Sequence, residues 1–444
     1  MRKPIALLCL ACFLICSYAQ KKWTLQECID YALENNITLQ QNRISSAQKQ
    51  VEIEASKAAL FPSLSFSTSH TLSYRPYSES TINLTNGSMS TTSAQTNYNG
   101  NYGINANWTI WNGGKNTKNI KASEMNKQLA DLQSEQTANS IQEQIAQLYI
   151  QILYETEAVK VDSEIVKMSI MQRDRALEMQ KVGSIAKVDV AQLEAQITQD
   201  QYSLVNAQSQ LANFKLQLKQ LLEIHGSDDF DVAVPELLDK SILATIPSQK
   251  SIYETALNIR PEIQSGKLSI DAAKLDEKIA KAGYYPTLSM SANIGSNNAS
   301  GQHSNIDKQL KKNWSNSVGL SLSVPIFDQK QTKSNVSKAK LNTQNSELEL
   351  QSTQKKLYSD IENFWLQATT SQQQYIAARS NVNSIQESYD LVSEQFKLGL
   401  KNIVELTTGK NNLLSAKQQM LQSKYTALYN LSMLRFYQGS KVKL

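Results

Sequence analysis

Cysteine, histidine, proline and glycine are all scarce in this 444-residue chain, and each scarcity argues against a class of protein. Of four Cys, three (Cys9, Cys12, Cys16) fall among the first sixteen residues. A cleavable leader is expected there. Arg2 and Lys3 precede an apolar run from Ile5 to Ile15, and Ser17-Tyr18-Ala19 is a small-x-small cleavage signal. The run is too short to span a bilayer, so residues 1–19 read as a signal peptide. Lipid attachment at Cys16 is disfavoured by the bulky Phe13-Leu14-Ile15 before it. The mature chain then keeps only Cys28, and no internal disulfide is expected in an exported protein. Its formal charge falls from +5 to +3 as Arg2 and Lys3 leave, which argues against nucleic acid as a partner. The three His (His70, His225, His303) have no Cys or carboxylate spacing around them, so neither a metal nor a cofactor is expected. No nucleophile–base pair or phosphate loop is present, and the chain does not read as an enzyme.

The eight Pro are clustered: none lies between Pro76 and Pro235, and none follows Pro325. With only 15 Gly, such stretches favour long helices over a compact α/β fold.

What the chain does have is itself, twice. Ala32-Leu33-Glu34-Asn35-Asn36-Ile37 … Phe61-Pro62-Ser63-Leu64-Ser65 recurs 224 residues on as Ala256-Leu257-Asn258-Ile259-Arg260-Pro261 … Tyr285-Pro286-Thr287-Leu288-Ser289. Lys181-Val182-Gly183 … Val188-Asp189-Val190 matches Lys397-Leu398-Gly399 … Val404-Glu405-Leu406 at an offset of 216. A period this long is a duplicated half rather than a solenoid repeat. The domain map is a first repeat over 20–222, a linker over 223–255 and a second repeat over 256–444.

Each half reads as a helix (Asn42–Ala59, Gln264–Ala282), two strands around a polar loop, then a long helix that turns and returns. The strands alternate. Leu64, Phe66, Leu72 and Tyr74 oppose Ser63, Ser65, Ser67 and Ser69. Tyr98, Tyr102, Ile104, Ala106, Trp108 and Ile110 oppose Asn99, Asn101, Asn105 and Asn107. Leu288, Met290, Ala292 and Ile294 oppose Ser289, Ser291 and Asn293, and Val318, Leu320, Leu322, Val324 and Ile326 oppose Ser317, Ser321 and Ser323. One face is apolar and the other wet. The segments match the ~9–11 residues that cross a bilayer, and aromatics cluster near their ends. A transmembrane barrel is therefore favoured over a soluble sheet. Four strands cannot close one, and open edges in lipid leave backbone groups unpaired, so the barrel must be shared between chains. Arg75–Asn97 and Gly295–Asn313, rich in Ser, Thr and Asn, are expected to be external loops.

The long helices are expected at Lys115–Lys181 and Thr332–Lys397. Apolar stripes such as Ile141, Ile145, Leu148, Ile152 and Leu413, Ala416, Met420, Ala427 read as coiled-coil seams. Gly183 and Gly399 supply left-handed turns. Asp189 and Glu405 follow early in the returning helices, where a carboxylate suits the positive end of the dipole.

These features together resemble the TolC family of outer-membrane efflux proteins: the leader, the doubled helix–strand–strand–helix–helix plan, Phe61-Pro62-Ser63-Leu64 and Tyr285-Pro286-Thr287-Leu288 opening the strands, and the Gly-x5-Asp/Glu-Val/Leu turns. The resemblance implies a mainly α protein with transmembrane β-strands. In a homotrimer, four strands per chain would build one shared β-barrel, and four helices per chain a coiled-coil periplasmic tunnel. It implies an exit duct in outer-membrane lipid, for efflux of small molecules or type I secretion, docked to a periplasmic adaptor and an inner-membrane pump. By the same resemblance Glu405 and Thr408 mark the periplasmic constriction, Asp189, Lys401 and Phe396 its latch, and Gly183 and Gly399 the hairpin tips. Thr408 stands where the family has a second acidic residue, and Phe396 lacks the hydroxyl of the family's Tyr. A non-conducting trimeric coiled coil is the structural alternative, disfavoured by the wet Ser and Asn faces.

Overall fold

A computed structural model describes residues 22–76, 81–85, 88–92, 96–226, 230–235, 239–301 and 304–443. The expected signal peptide and His303 lie outside the described residues. The first half runs β1 (Lys22–Trp23), α1 (Leu25–Asn35), α2 (Ile37–Ala58), β2 (Ser63–Tyr74), β3 (Thr81–Thr85), β4 (Ser88–Thr92), β5 (Thr96–Asn112), α3 (Lys115–Lys181) and α4 (Lys187–Leu221). After β6 (Asp231–Val232) and α5 (Asp239–Ile242), the second half runs α6 (Gln249–Ile259), α7 (Pro261–Lys281), β7 (Thr287–Ala299), α8 (Ile306–Lys312), β8 (Ser315–Ser323), α9 (Gln331–Lys397) and α10 (Ile403–Tyr437).

The duplication is visible in the caps. Thr24 Oγ1 accepts from the Glu27 N–H at 3.3 Å, and the Glu27 carboxylate accepts from the Thr24 N–H at 2.9 Å, closing a capping box on α1. Ser248, 224 positions later, caps α6 by accepting from the Ser251 N–H. The second repeat thus starts ahead of the expected boundary at 256, which falls inside α6. One extended residue separates each first helix from the next: Asn36 (ψ 125°) and Arg260 (ψ 128°). Pro261 forces this at Arg260, because the residue before a proline is excluded from the helical region. Asn36 achieves it with its side chain, whose Oδ1 accepts from the Leu39 N–H at 3.2 Å. These breaks place the starts of α2 and α7 at Ile37 and Pro261, earlier than hydrophobic periodicity predicts.

Tertiary contacts divide the chain into two compact units, each drawing on both repeats. The described residues of the first lie within 22–44, 131–266 and 349–443. Its core gathers Cys28, Ile29, Ala32 and Leu39 around Ile145, Tyr149, Ile152 and Leu153 of α3, with Leu218, Leu428 and Met433. Tyr149 donates its buried hydroxyl to the Ala233 carbonyl at 2.6 Å, tying the short parallel β1–β6 pair to the helices.

The second unit comprises residues 45–130 and 267–348 and holds an antiparallel sheet in the order β2-β5-β7-β8. Here α3 and α9 begin in equivalent ways. Asn112 Oδ1 accepts from the Asn116 N–H at 3.2 Å, and Asp328 Oδ2, 216 positions on, accepts from the Thr332 N–H at 2.7 Å. Between cap and helix stands a left-handed pair: Gly113 and Gly114 in the first half, Gln329 (φ 54°) and Lys330 (φ 66°) in the second. A Cβ at Gly113 would lie 2.9 Å from the Ala282 carbonyl and from Tyr285 Cβ, so that position admits no side chain without movement.

The sheet departs from expectation at its ends. β5 starts at Thr96, and a bulge between Thr109 and Trp111 leaves Ile110 out of register and puts Trp111 opposite Leu288. β8 ends at Ser323, opposite the first residue of β7, so Val324 and Ile326 are not in the strand. Pro325 has no N–H to extend the ladder. The two expected loops carry structure: the β3–β4 hairpin in one, the last turns of β7 and helix α8 in the other.

Candidate functional site

Two features of the fold bear on function, one in each unit. The first is the sheet. Its register brings like to like across all four strands. Leu64, Ala106, Ala292 and Val318 form one row, and Trp108, Met290 and Leu320 another. Between them runs the polar row Ser63–Asn107–Ser291–Gly319, and on the other side of the Ala106 row runs Ser65–Asn105–Asn293–Ser317. The polar face is knitted by amides: Asn293 Nδ2 donates to Asn105 Oδ1 at 2.5 Å and Asn105 Nδ2 to Ser67 Oγ at 3.0 Å. Among the described residues no layer covers the apolar face. Leu64 is 74% exposed, Leu320 68% and Leu322 64%, values opposite to those of a soluble sheet packed on a core. β2 and β8 each pair on one side only. Aromatics stand at one end of the face (Phe61, Trp108, Trp111, Tyr285) and Tyr98, Tyr102 and Trp314 at the other.

The second feature is the pair of hairpin tips. Gly183 (φ 77°) and Gly399 (φ 73°) close the outgoing helices in the left-handed conformation. In each, the next residue bonds back across the turn: Ser184 N–H to the Met179 carbonyl at 2.8 Å and Leu400 N–H to the Gln395 carbonyl at 2.9 Å. Asp189 and Glu405 occupy the same position of α4 and α10. Asp189 Oδ2 accepts from the Ala186 N–H at 3.1 Å, and Glu405 Oε2 from the Asn402 N–H at 3.2 Å. Lys401 Nζ donates to Glu405 Oε1 at 2.5 Å, and this bond, with that from Asn402, holds the Glu405 carboxyl below its ordinary range. The expected Asp189–Lys401 pair is therefore not made within the chain. Lys401 stands just before the Asn402 cap, four residues from Glu405, and takes that carboxylate, although Asp189, Lys401 and Glu405 all line one cavity of about 490 Å³. Phe396 is buried with Met179, Val190, Leu193 and Leu406 and borders the same cavity. Thr408 is exposed one turn beyond Glu405.

Above the tips the two hairpins are joined by charge. Lys424 meets Glu157 at 3.0 Å and Lys417 meets Glu164 at 3.6 Å, steps of seven in opposite directions along α10 and α3. At Lys410 the ladder turns inward. Its fully buried Nζ donates to Asp200 Oδ2 at 2.5 Å and to Ser169 Oγ at 2.7 Å, and Ser169 donates to the same carboxylate oxygen. Burial pushes the Lys410 amine down and the Asp200 carboxylate opposes this. Sequence reasoning missed this cluster. Its signal was a mismatch between repeats: at an offset of 216, Ser169 and Asp200 answer to Ile385 and Ala416.

Among the described residues, then, the sheet has an apolar face without cover and a free edge on each outer strand, and the helices form capped hairpins. Among the described residues no helix is long and apolar enough to cross a membrane. The family model "Outer membrane efflux protein" matches residues 28–223 and 252–440, one segment per repeat. The chain belongs to this family, which is one of outer-membrane proteins and not an enzyme class. It is 22% identical over 298 residues to the outer membrane protein TolC of Salmonella enteritidis, covering 66% of this chain and 60% of that protein. It is 22% identical over 406 residues to the outer membrane efflux protein BepC of Brucella suis biovar 1, covering 90% and 82%. The chain thus spans less than two thirds of the first relative and most of the second. Its fold matches the crystal structure of the Campylobacter jejuni CmeC outer membrane channel with a TM-score of 0.77 at 19% identity, over 95% of this chain and 87% of that one.

Proposed function

We propose that the chain is one of three identical subunits of an outer-membrane exit duct. The observation that carries this is the sheet: among the described residues, an apolar face with nothing over it, an uncharged wet face, and one unpaired strand edge at each side. Three copies joined through β2 and β8 would close a twelve-stranded barrel with Ser and Asn inward and no free edge. From Trp108 to Tyr98 the strand advances ten residues, roughly 34 Å at ~3.4 Å each. At the usual tilt that is roughly 26 Å of height, close to the ~25 Å apolar band of such barrels. The duct carries cargo and has no catalytic step.

The tips are assigned two roles. Glu405, with Asp189 and Lys401, sets the potential at the periplasmic mouth, where three copies of a carboxylate favour cations. The exposed apolar side chains around the glycines (Val182, Val188, Leu398, Leu400 and Val404) are the docking surface for a periplasmic adaptor that links the duct to an inner-membrane pump. Val182 and Leu398, and Val188 and Val404, are matched 216 residues apart, so a trimer would offer six similar sites.

The test is conductance of the purified oligomer in a planar bilayer, with its mass measured by native mass spectrometry. A trimer with a steady, salt-dependent current is expected. A monomer with intact strand content, or a trimer that inserts without conducting, refutes the duct.

A further inference from the structure

Helix α8 was expected to be loop, and the way it is held suggests a use. It lies beside the stretch of β7 that extends past the first residue of β8 and satisfies that edge with side chains. Gln309, buried, accepts from the Ala299 N–H at 2.9 Å, and Asn313 Nδ2 donates to the Asn297 carbonyl at 2.8 Å. Ser296 Oγ donates to the Leu310 carbonyl at 2.6 Å. These bonds fix the rotation of the helix with Gln309 inward. Lys308, Lys311 and Lys312, spaced three and four apart, share one flank of the helix away from β7, and all three are exposed. None forms an ion pair among the described residues, and Asp307 is the only acid in the helix. Lys311 and Lys312 suit the negative end of the helix dipole. Lys308, in the first half of the helix, is not accounted for in that way.

The surroundings indicate the partner. Trp314, 62% exposed, directly precedes β8 and keeps the alternation of Val318, Leu320 and Leu322, so it continues the apolar face to its end. Ile306, 57% exposed, is the first residue of the helix. An aromatic at the limit of an apolar band, with lysines just beyond it, is the pattern of side chains seated at a lipid headgroup layer. We infer that the Lys308–Lys311–Lys312 face with Trp314 binds anionic, phosphate-bearing lipid headgroups at the loop end of the barrel. This rests on the barrel reading given above. Charge complementarity and continuity with the lipid-facing rows favour lipid over a protein occupant.

The experiment is a native mass-spectrometry titration of the purified oligomer with phosphatidylglycerol and, in parallel, phosphatidylcholine. The wild type is expected to prefer the anionic lipid. At roughly fivefold per lysine near an anionic surface, Lys308→Gln, Lys311→Gln and Lys312→Gln together should weaken it roughly a hundredfold. The same three positions changed to Arg should retain it. Competition by millimolar inorganic phosphate as effective as by lipid would make the site one for free phosphate and overturn the proposal. So would a triple Gln variant that keeps its lipid preference, or one that only loses trimer. Conductance of the same samples separates the two readings: a conducting variant without lipid preference supports both, and a conducting wild type without lipid preference overturns this one alone.

Discussion

The Lys410–Asp200–Ser169 cluster makes the strongest quantitative prediction. An ion pair with the lysine fully buried, bridging both hairpins, is costly to desolvate, and most of its consequence appears when one partner goes. Lys410→Met leaves Asp200 buried with only Ser169 and Gln196 donating to it. The expected loss is about 3–5 kcal/mol. Asp200→Ala strands the lysine and should cost a similar amount. The second repeat supplies an apolar solution at the matching positions, Ile385 and Ala416. Combining Lys410→Met with Asp200→Ala and Ser169→Ile removes the charges together, and the triple variant should return to within about 1–2 kcal/mol of wild type. Unfolding of an assembly of this kind is prone to irreversibility, so local stability is the better measure. Hydrogen exchange of the α4 and α10 amides around these residues reports it directly. Each single variant should speed exchange there by roughly two to four decades, since each 1.4 kcal/mol is tenfold. The triple variant should restore protection. If Lys410→Met moves exchange by less than tenfold, or if the triple variant is as exposed as the single losses summed, the buried charge is not what couples the hairpins.

Four further outcomes are expected. Leu320→Arg, on the uncovered face, should destabilise the inserted barrel by about 2–4 kcal/mol near mid-membrane, while Ser321→Arg is tolerated; equal damage in heat-resistance of the oligomer would mean the faces are reversed. Glu405→Gln keeps an acceptor for the Asn402 N–H but loses the charge, so cation preference in a salt gradient should fall while α10 still starts at Ile403; an unchanged reversal potential removes Glu405 from the mouth. Because the Glu405 carboxyl is held below its unfolded value, its contribution to the helix start is complete above that value and lost as pH falls through the folded one, visible as acid-enhanced exchange at Ile403–Glu405 in wild type and not in the variant. Gln329→Gly with Lys330→Gly should stabilise the second unit by roughly 1–2 kcal/mol per residue, since both hold φ near +60° where the first repeat has glycines; a lower melting point would show that the side chains contribute more than the strain costs.

Much of this was legible because it is written in periods. The bounds of β2 and α3 follow from alternation and from a 67-residue stretch without Gly or Pro, and the structure has them at the expected residues. Gly183 and Gly399 could be placed because only a residue without a Cβ enters the left-handed turn at no cost. Asp189 and Glu405 were read as early-helix carboxylates, and both cap their helices. Their partners were harder. Lys401 could reach Glu405, four residues on, or Asp189 of the other hairpin, and only the built turn shows which carboxylate its amine meets.

Local pattern therefore determined the elements, the duplication and the two faces of the sheet, since helix and strand periods act over a few residues and survive in any context. Tertiary structure decided what depends on two distant segments meeting. It stopped β8 at Ser323, because a strand extends only as far as its partner and Pro325 cannot donate. It made a helix of residues 306–312, where Gln309 and Asn313 replace the missing strand on β7. And it turned Lys410, one of many lysines on an amphipathic helix, into a buried charge, because Asp200 and Ser169 came from two other helices to meet it.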